Sequence, residues 1–495
     1  MAQQKDIYIH APYDERKFAE RSPFYGASYH ELKEHRNNRR IWLEGTSLMR
    51  GGFDKGQLYS VEYNLDHRAL ILRTVEETAE NLTLLKQKKL RRVSGRKMTG
   101  WVKPIIEVCN ADVTNLFGAQ ERFRATVYRG MIVFTIHPED QARFARETSL
   151  TTNVRNGKIT EGVAFFGLGI STHATHHGFK AAGLTPSLRW GIEREKKYID
   201  TAILNGEDMY AQTRIFCGNI EEIEPQLIEP VNAFSFSMPC TNHSSHGKAK
   251  KGLTCAEDGD EVTALFGTLA IIKAANPAIL ISENVPSAQD SVSYKLLRKE
   301  LTRMGYRFKE MLLDNKQAGC LEIRKRYWFV AVSKGLSIDP EELTPPNYPA
   351  DHHCVGDILD KESTQDWFPL TKLNTRQAKN IAEGRNFSLN LVDGKSVQVG
   401  CLPRGYWRHQ ISNPHMTDHQ GNYRLFSKFE HARLKRIPTS LVNIVSQTDA
   451  HEGLGQSVSY HQAMGCAWIA GTAAKQHAVA QGDNFSFSLC ASPIS

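Results

Sequence analysis

Long apolar runs are missing from this 495-residue chain, and nothing in it approaches the roughly 20 residues that a membrane-spanning helix needs. The opening Met1-Ala2-Gln3-Gln4-Lys5-Asp6 has no apolar core of the secretory kind, so a cytoplasmic location is the expectation. A dense, even-numbered cysteine framework is also absent. The nine cysteines are scattered and odd in number, which points to free thiols in a reducing compartment. The full G-x-G-x-x-G run of dinucleotide folds does not occur either, which makes a dinucleotide the less favoured ligand. Acidic residues are outnumbered, and a net charge of +8 fits a polyanionic partner without requiring one. What is present is ordinary globular material: 40% hydrophobic and 23% charged residues, with length enough for about three domains of roughly 150 residues.

Residues 1–150 read as a mainly β region. Short alternating runs such as Tyr59-Ser60-Val61-Glu62-Tyr63 and Ala69-Leu70-Ile71-Leu72-Arg73 are separated by turn residues. Two similar stretches stand out. The first runs from Arg40-Ile41-Trp42-Leu43 through Gly51 and Gly56 to Leu70-Ile71-Leu72, the second from Pro104-Ile105-Ile106-Glu107-Val108 through Leu116-Phe117-Gly118 to Gly130-Met131-Ile132-Val133-Phe134. Each reads as an apolar strand, a short helix or turn ending in glycine, and a strand pair. In this the region resembles the small swapped-hairpin β-domains of the AbrB and SymE type, which implies DNA binding or dimerisation and allows a homodimer through this domain. Between the two stretches, residues 86–97 are the densest basic segment, either a solvated face or linker or an arm that contacts phosphates.

Residues 160–335 alternate apolar strands with helical stretches, as a doubly wound α/β sheet does. Strands are expected at 163–166, 278–282 and 327–332, and helices at 265–275 and 294–304. From 336 to 423 the pattern breaks into prolines, turns and aromatics mixed with arginine. Helices return near 428–436 and 457–473 within a stretch 424–472, and residues 473–495 read as a loosely held tail.

Four groups of residues carry chemistry. Phe165-Phe166-Gly167-Leu168-Gly169 follows a strand, with Gly178, Ala182 and Gly183 in the helical stretch after it; such glycines let backbone approach a ligand closely. Glu193 ends the next apolar run, where a carboxylate can accept from two ribose hydroxyls, and Gly218-Asn219-Ile220 ends a third, where an amide can meet an adenine edge. A ligand-free βα turn is the plainer reading of the glycines. Cys240 follows Phe234-Ser235-Phe236-Ser237 and a rigid Pro239, and precedes a polar loop with three lysines and hinge glycines. Cationic surroundings favour the reactive thiolate. The alternatives are a buried structural cysteine and a metal site with His243, His246 and Cys255, whose spacing lacks a second ordered pair. Glu283 ends the 278–282 run at the carboxyl edge of the sheet. Arg324 and Arg326 alternate, so that both project from one face; an exposed basic edge strand is the plainer reading.

In this order the groups, with residues 424–438 and Gly453-Leu454-Gly455-Gln456-Ser457-Val458, resemble the DNA cytosine-5 methyltransferases over residues 163–472. The resemblance implies a Rossmann-like S-adenosylmethionine-dependent methyltransferase domain in two parts (160–335 and 424–472), divided by a small irregular target-recognition segment (336–423) and preceded by the mainly β domain. It implies Cys240 as nucleophile, Glu283 as acid, and Arg324 and Arg326 as a grip on the cytosine carbonyl. Phe165, Gly167, Gly169, Glu193, Asn219, Ile220, Ser457 and Val458 would hold the S-adenosylmethionine. Pro239, Ser244, His246, Lys248 and Asn284 would shape the loop that closes over double-stranded DNA, and no metal is called for. In the recognition segment Arg376, Lys379, Arg385, Arg404, Tyr406, Trp407 and Arg408 suit phosphates and base edges, while His352-His353-Cys354 reads as a surface turn. The chain departs from the family pattern at Ser237-Met238 (glycines elsewhere), Ile170-Ser171 (a glycine), Asn219 (an aspartate) and Glu322 (a glutamine). RNA as substrate, a C5 modification other than methyl, and a DNA-binding regulator whose catalytic half only senses cofactor remain as alternatives.

Overall fold

Two intertwined copies of one strand–helix–hairpin pattern build the first of the two units into which the chain divides, Met1–Ala145 and Arg146–Ser495. The computed structural model describes residues 23–65, 67–118, 120–239, 260–362, 365–385 and 388–480. The first copy runs β1 (Phe24–Glu31), β2 (Lys33–His35), β3 (Asn38–Glu44), the helix Thr46–Arg50, β4 (Leu58–Asn64) and β5 (Ala69–Val75). After the helix Ala79–Lys86 the same order returns as β6 (Leu90–Arg92), β7 (Ser94–Met98), β8 (Trp101–Cys109), the helix Ala111–Phe117, β9 (Arg122–Tyr128) and β10 (Met131–Ile136). One sheet has the order β1-β9-β10-β5-β4-β6 and the other β2-β3-β8-β7. Exchanging the copies turns each order into its own reverse, so each copy supplies the edge strand for the other's hairpin. Ile41 and Leu43 of one copy and Ile106 and Val108 of the other point inward at alternate positions, against Leu70, Leu72, Phe123 and Phe134. The expected duplication is therefore a folded one. Residues 86–97 are no linker between its halves: they end a helix and form β6 and β7.

The second unit is organised by seven strands: β11 (Lys158–Ala164), β12 (Thr185–Glu193), β13 (Arg214–Cys217), β14 (Ala233–Phe236), β15 (Ile279–Asn284), β16 (Tyr306–Leu313) and β17 (Arg326–Ser333). Their order is β13-β12-β11-β14-β15-β17-β16. Neighbours are parallel except where β17 runs against β15 and β16. That reversal brings the first residues of β17 to the edge where the other strands end. The strand order switches direction between β11 and β14, which opens a crevice at the carboxyl ends.

Both faces of the sheet are covered. Ile279 and Ile281 lie in one core with the helices Ile170–Ala181 and Tyr460–Ala480, while Leu280 between them lies in another with Ala264–Ala275 and Val292–Arg303. A Cβ on Gly178 would collide with the Met464 carbonyl oxygen, so glycine is what lets the first two helices approach so closely. The tail expected from residue 473 is corrected here. The helix runs on to Ala480 and buries Ala473, Ala474, His477 and Ala478, small side chains that pack closely rather than dangle. Residues 481–495 lie outside the described residues.

The stretch 336–423 is also more regular than expected. It contributes β18 (Phe368–Pro369), β19 (Asn390–Val392) and β20 (Pro414–Thr417) to a sheet completed by β21 (Asn422–Arg424), and it holds the helix Thr371–Ala382. That helix buries only Leu373. No helix of the described residues is long and apolar enough to cross a membrane.

Candidate active site

The glycine turn begins earlier than the apolar run suggests. The strand stops at Ala164, and Phe165 already has a positive φ of 58°, with its N–H donating to the Ile192 carbonyl at 2.8 Å. Gly167 and Gly169 follow with φ of 55° and 79°. The two glycines do different work. A Cβ on Gly169 would stand 2.6 Å from the Tyr210 hydroxyl, whereas one on Gly167 would meet nothing within 4 Å. Gly167 therefore leaves its backbone open beside the amino end of the helix Ile170–Ala181, where N–H groups and the helix dipole favour a polar or anionic ligand. Glu193 caps the arrangement. One carboxylate oxygen accepts from the Gly167 N–H at 2.9 Å and the other from the Glu195 N–H at 3.0 Å.

At the same edge β14 delivers the chain towards the nucleophile candidate. Asn284 is buried at 1% exposure; its Nδ2 donates to the Met238 carbonyl at 3.0 Å and lies 2.9 Å from the Tyr294 hydroxyl. The side chain thus ties the end of β15 to the residue before Pro239. Glu283 lies 8% exposed, accepting from the Ser237 hydroxyl at 3.1 Å and pairing with Arg326 Nε at 2.9 Å. Antiparallel register sets that pair: Asn284 lies opposite Tyr327, so Arg326 comes level with the end of β15. A cleft of about 360 Å³, counted out to open solvent, is lined here by Phe166, Ser171, Thr175, Ser237, Glu283 and Val458 among others. Cys240, Ser244, His246 and Lys248, with His243 and Cys255 of the metal alternative, lie outside the described residues; Pro239 is the last residue described before them.

The structure separates the two arginines that alternation would place together. Regular strand begins only at Arg326, and Glu322 bridges instead to Val399. Arg324 is consequently turned inward at 2% exposure. Its Nη2 donates to the Gly455 carbonyl at 2.9 Å, and its Nη1 stands 3.1 Å from Cys401 Sγ and 3.4 Å from Glu322. Glu322, fully buried, also accepts from the Leu402 N–H at 2.9 Å and faces Lys435 Nζ at 3.4 Å. Burial and the neighbouring Arg324 push the Lys435 amine down to about 8, against the partial restoring pull of Glu322.

The remaining expected residues divide by burial. Val458 lines the cleft, and Ser457 is tied through its hydroxyl to the Leu454 carbonyl at 2.8 Å. Asn219 donates from Nδ2 to Glu222 at 3.2 Å, a contact an aspartate there would turn into repulsion. Ile220 sends its side chain into the core against Gly267, which leaves backbone as its offering to a ligand. Tyr406 is no base-reading residue: it is fully buried, donating to the Pro414 carbonyl at 2.8 Å and accepting from the Phe426 N–H at 3.0 Å. Sequence reasoning also missed Glu161. Fully buried on β11, it accepts from Ser235 at 2.6 Å and Thr175 at 3.1 Å, and lies 3.2 Å from His176 Nε2. A lone glutamate inside an apolar strand run was the available signal. Among the described residues no three His, Cys, Asp or Glu side chains are grouped to hold a metal ion.

A family model described as C-5 cytosine-specific DNA methylase matches residues 165–465. Type II methyltransferase M.SsoII of Shigella sonnei is 24% identical over 317 residues, covering 62% of this chain and 78% of that protein. Type II methyltransferase M1.ScrFI of Lactococcus lactis subsp. cremoris is 24% identical over 249 residues, covering 49% of this chain and 62% of that protein. Among solved structures, the Entamoeba histolytica methyltransferase EhMeth superposes with a TM-score of 0.51 at 14% identity, over 62% of this chain and 96% of that one, a likeness of fold.

Proposed function

We propose, from the premise that this chain belongs to the C-5 cytosine-specific DNA methylase family and is a DNA cytosine-5 methyltransferase using S-adenosylmethionine, that it acts through a covalent bond between Cys240 and C6 of a cytosine turned out of the duplex. The residues present fit the cofactor. Gly167 leaves open space where a side chain would stand, Glu193 is fixed beside it by two backbone N–H groups, and Val458 lines the cleft. When bound, S-adenosylmethionine supplies a methyl group already activated on a sulfonium.

A base inside a stacked duplex offers no access to C6, so the target must leave the stack. The Cys240 thiolate adds to C6, and the electron pair of the C5–C6 double bond moves to C5. Glu283 delivers a proton to N3, which keeps negative charge from building up on the ring. Arg326 orients the Glu283 carboxyl from 2.9 Å, and its guanidinium is the group that grips the cytosine O2. Arg324, buried against the Gly455 carbonyl, steadies the segment leading into β17 and does not itself reach substrate. C5 then takes the methyl group. Loss of the C5 proton to a base restores the C5–C6 double bond and expels the thiolate, and the Glu283 carboxylate takes back the N3 proton.

One observation carries the reading: Glu283, Arg326 and the Asn284-held lead-in to Pro239-Cys240 converge at the carboxyl edge of one sheet, beside the open glycine turn. Cys240→Ser is expected to abolish methyl transfer while duplex binding persists. A duplex bearing 5-fluorocytosine in the target position, which cannot lose a proton from C5, is expected to remain attached to the wild type through denaturation. Methylation by the serine variant at a near-wild-type rate would reject the assignment.

A further inference from the structure

We propose that the second copy in the N-terminal unit is a sequence-independent grip on the phosphate backbone of duplex DNA, formed by Lys86, Lys88, Lys89, Arg91, Arg96 and Lys97. The inference rests on DNA being the substrate and extends it to a unit that the family match, beginning at residue 165, does not include.

The duplication itself supplies the comparison. Corresponding stretches, residues 24–44 and 87–109, form the same strands in the same places, yet the first holds four Lys and Arg against three Glu, and the second seven against one. From residue 81 to 106 there are eight cations and no acid at all. Residues 1–145 contain 24 Lys and Arg against 18 Asp and Glu, which is +6 of the chain's +8.

In the first copy the two cations on β3 are paired: Arg39 with Glu34 at 3.4 Å and Arg40 with Glu107 at 2.7 Å. In the stretch 87–109 of the second copy Arg92 and Lys103 are paired, with Glu77 at 2.9 Å and Glu44 at 2.5 Å. The six named cations have no ion-pair partner among the described residues. All are exposed except half-buried Arg91.

Because the first copy builds the same architecture without such an excess, the fold does not require these charges. Held together on β6, β7 and the helix end before them, they repel one another unless a polyanion sits across them. Exposed Met98 and Trp101 flank the turn of the β7–β8 hairpin, an apolar tip beside the cations that also suits an occupied surface. Lysine and arginine neutralise phosphates without reading sequence, so the grip adds affinity and salt dependence but no target preference.

The test uses the full chain carrying Lys88→Gln, Lys89→Gln, Arg96→Gln and Lys97→Gln together, beside a comparator with Lys33→Gln and Arg36→Gln in the first copy. Fluorescence anisotropy with a duplex lacking the target site, from about 50 to 300 mM salt, reads affinity and its slope. The expected result is at least a tenfold loss at about 100 mM salt and a slope shallower by roughly 2 to 4, near 0.9 per phosphate contact removed. The comparator stays within twofold, and kcat at saturating target DNA stays within twofold in both. An unchanged slope, or an equal loss in the comparator, overturns the proposal. So does a loss confined to single-stranded RNA or to anionic phospholipid vesicles with duplex binding intact. A wild type that binds duplex with the full slope but forms no 5-fluorocytosine adduct would sink the covalent mechanism and leave the grip standing.

Discussion

Glu283 and Glu322 each face a cation within the same unit, yet one stands at an open cleft and the other is sealed. Glu283 has Arg326 at 2.9 Å, a serine hydroxyl, and a cleft in front of it. Glu322 has Lys435 and Arg324 both at 3.4 Å, the Leu402 N–H, and no exposure. Composition alone makes the two look interchangeable; surroundings give them different work. A carboxyl group that borders open space can exchange a proton with a substrate. One enclosed by two cations and a backbone N–H can only hold its neighbours in place, and here it joins the lead-in to β17, the Cys401-Leu402 segment and the Lys428–Leu434 helix end. Glu322 is also a point where the chain departs from the glutamine of its family. Lys435 supplies the charge that such an exchange demands.

Removing the open carboxylate should have the largest effect on turnover and little on stability. Glu283→Gln keeps the shape and the Ser237 contact but cannot deliver the proton, so kcat for methyl transfer should fall by about 10²–10⁴. Urea midpoint and duplex binding should stay near wild type. Activity within fivefold of wild type would erase the distinction between the two glutamates.

The sealed pair should behave in the opposite way. Glu322→Gln leaves Lys435 and Arg324 as buried, uncompensated cations and should cost about 3–5 kcal/mol in urea unfolding. Lys435→Met should cost less, because Arg324 still faces Glu322. The double variant should recover part of the Glu322→Gln loss, since it removes the stranded lysine charge; strict additivity in this cycle would show that the two residues do not communicate. The lysine also predicts a pH signature. Its amine titrates near 8 in the folded chain and near 10.4 when unfolded, so between those values the unfolded state holds the extra proton. Stability from this group is therefore absent below pH 8 and gained as pH rises towards 10.4. Lys435→Met should flatten that rise.

How far the residues themselves announced all this depends on distance along the chain. Alternating strands and helices from 160 to 335, the glycine turn, Glu193 and the Glu283-Asn284 corner were legible, because each is set by local periodicity and by where an apolar run stops. The duplicated strands of the first unit were legible for the same reason. Arg324 was not: two-residue alternation holds only inside a strand, and regular strand starts two residues later. Nor could composition tell that Tyr406 would be buried, or that Glu322 would find Lys435 from a helix end far along the chain. The helix Thr371–Ala382 does segregate its polar and apolar residues on a helical period, and was overlooked inside a stretch dominated by prolines and turns.

Ser237 offers the mildest way to sharpen the contrast. It replaces a glycine of the family pattern, and its hydroxyl donates to Glu283 at 3.1 Å. Ser237→Gly removes that bond without stranding a charge, since Arg326 remains on the other carboxylate oxygen. A single neutral donor to a charged acceptor is worth about 1–2 kcal/mol, and part of that is returned by water in an open cleft. The expected loss in kcat/KM is about two- to tenfold, with the urea midpoint barely moved. A loss beyond about a hundredfold would mean that the hydroxyl touches the substrate itself, and that the open pair depends on its serine as strictly as the sealed pair depends on its lysine.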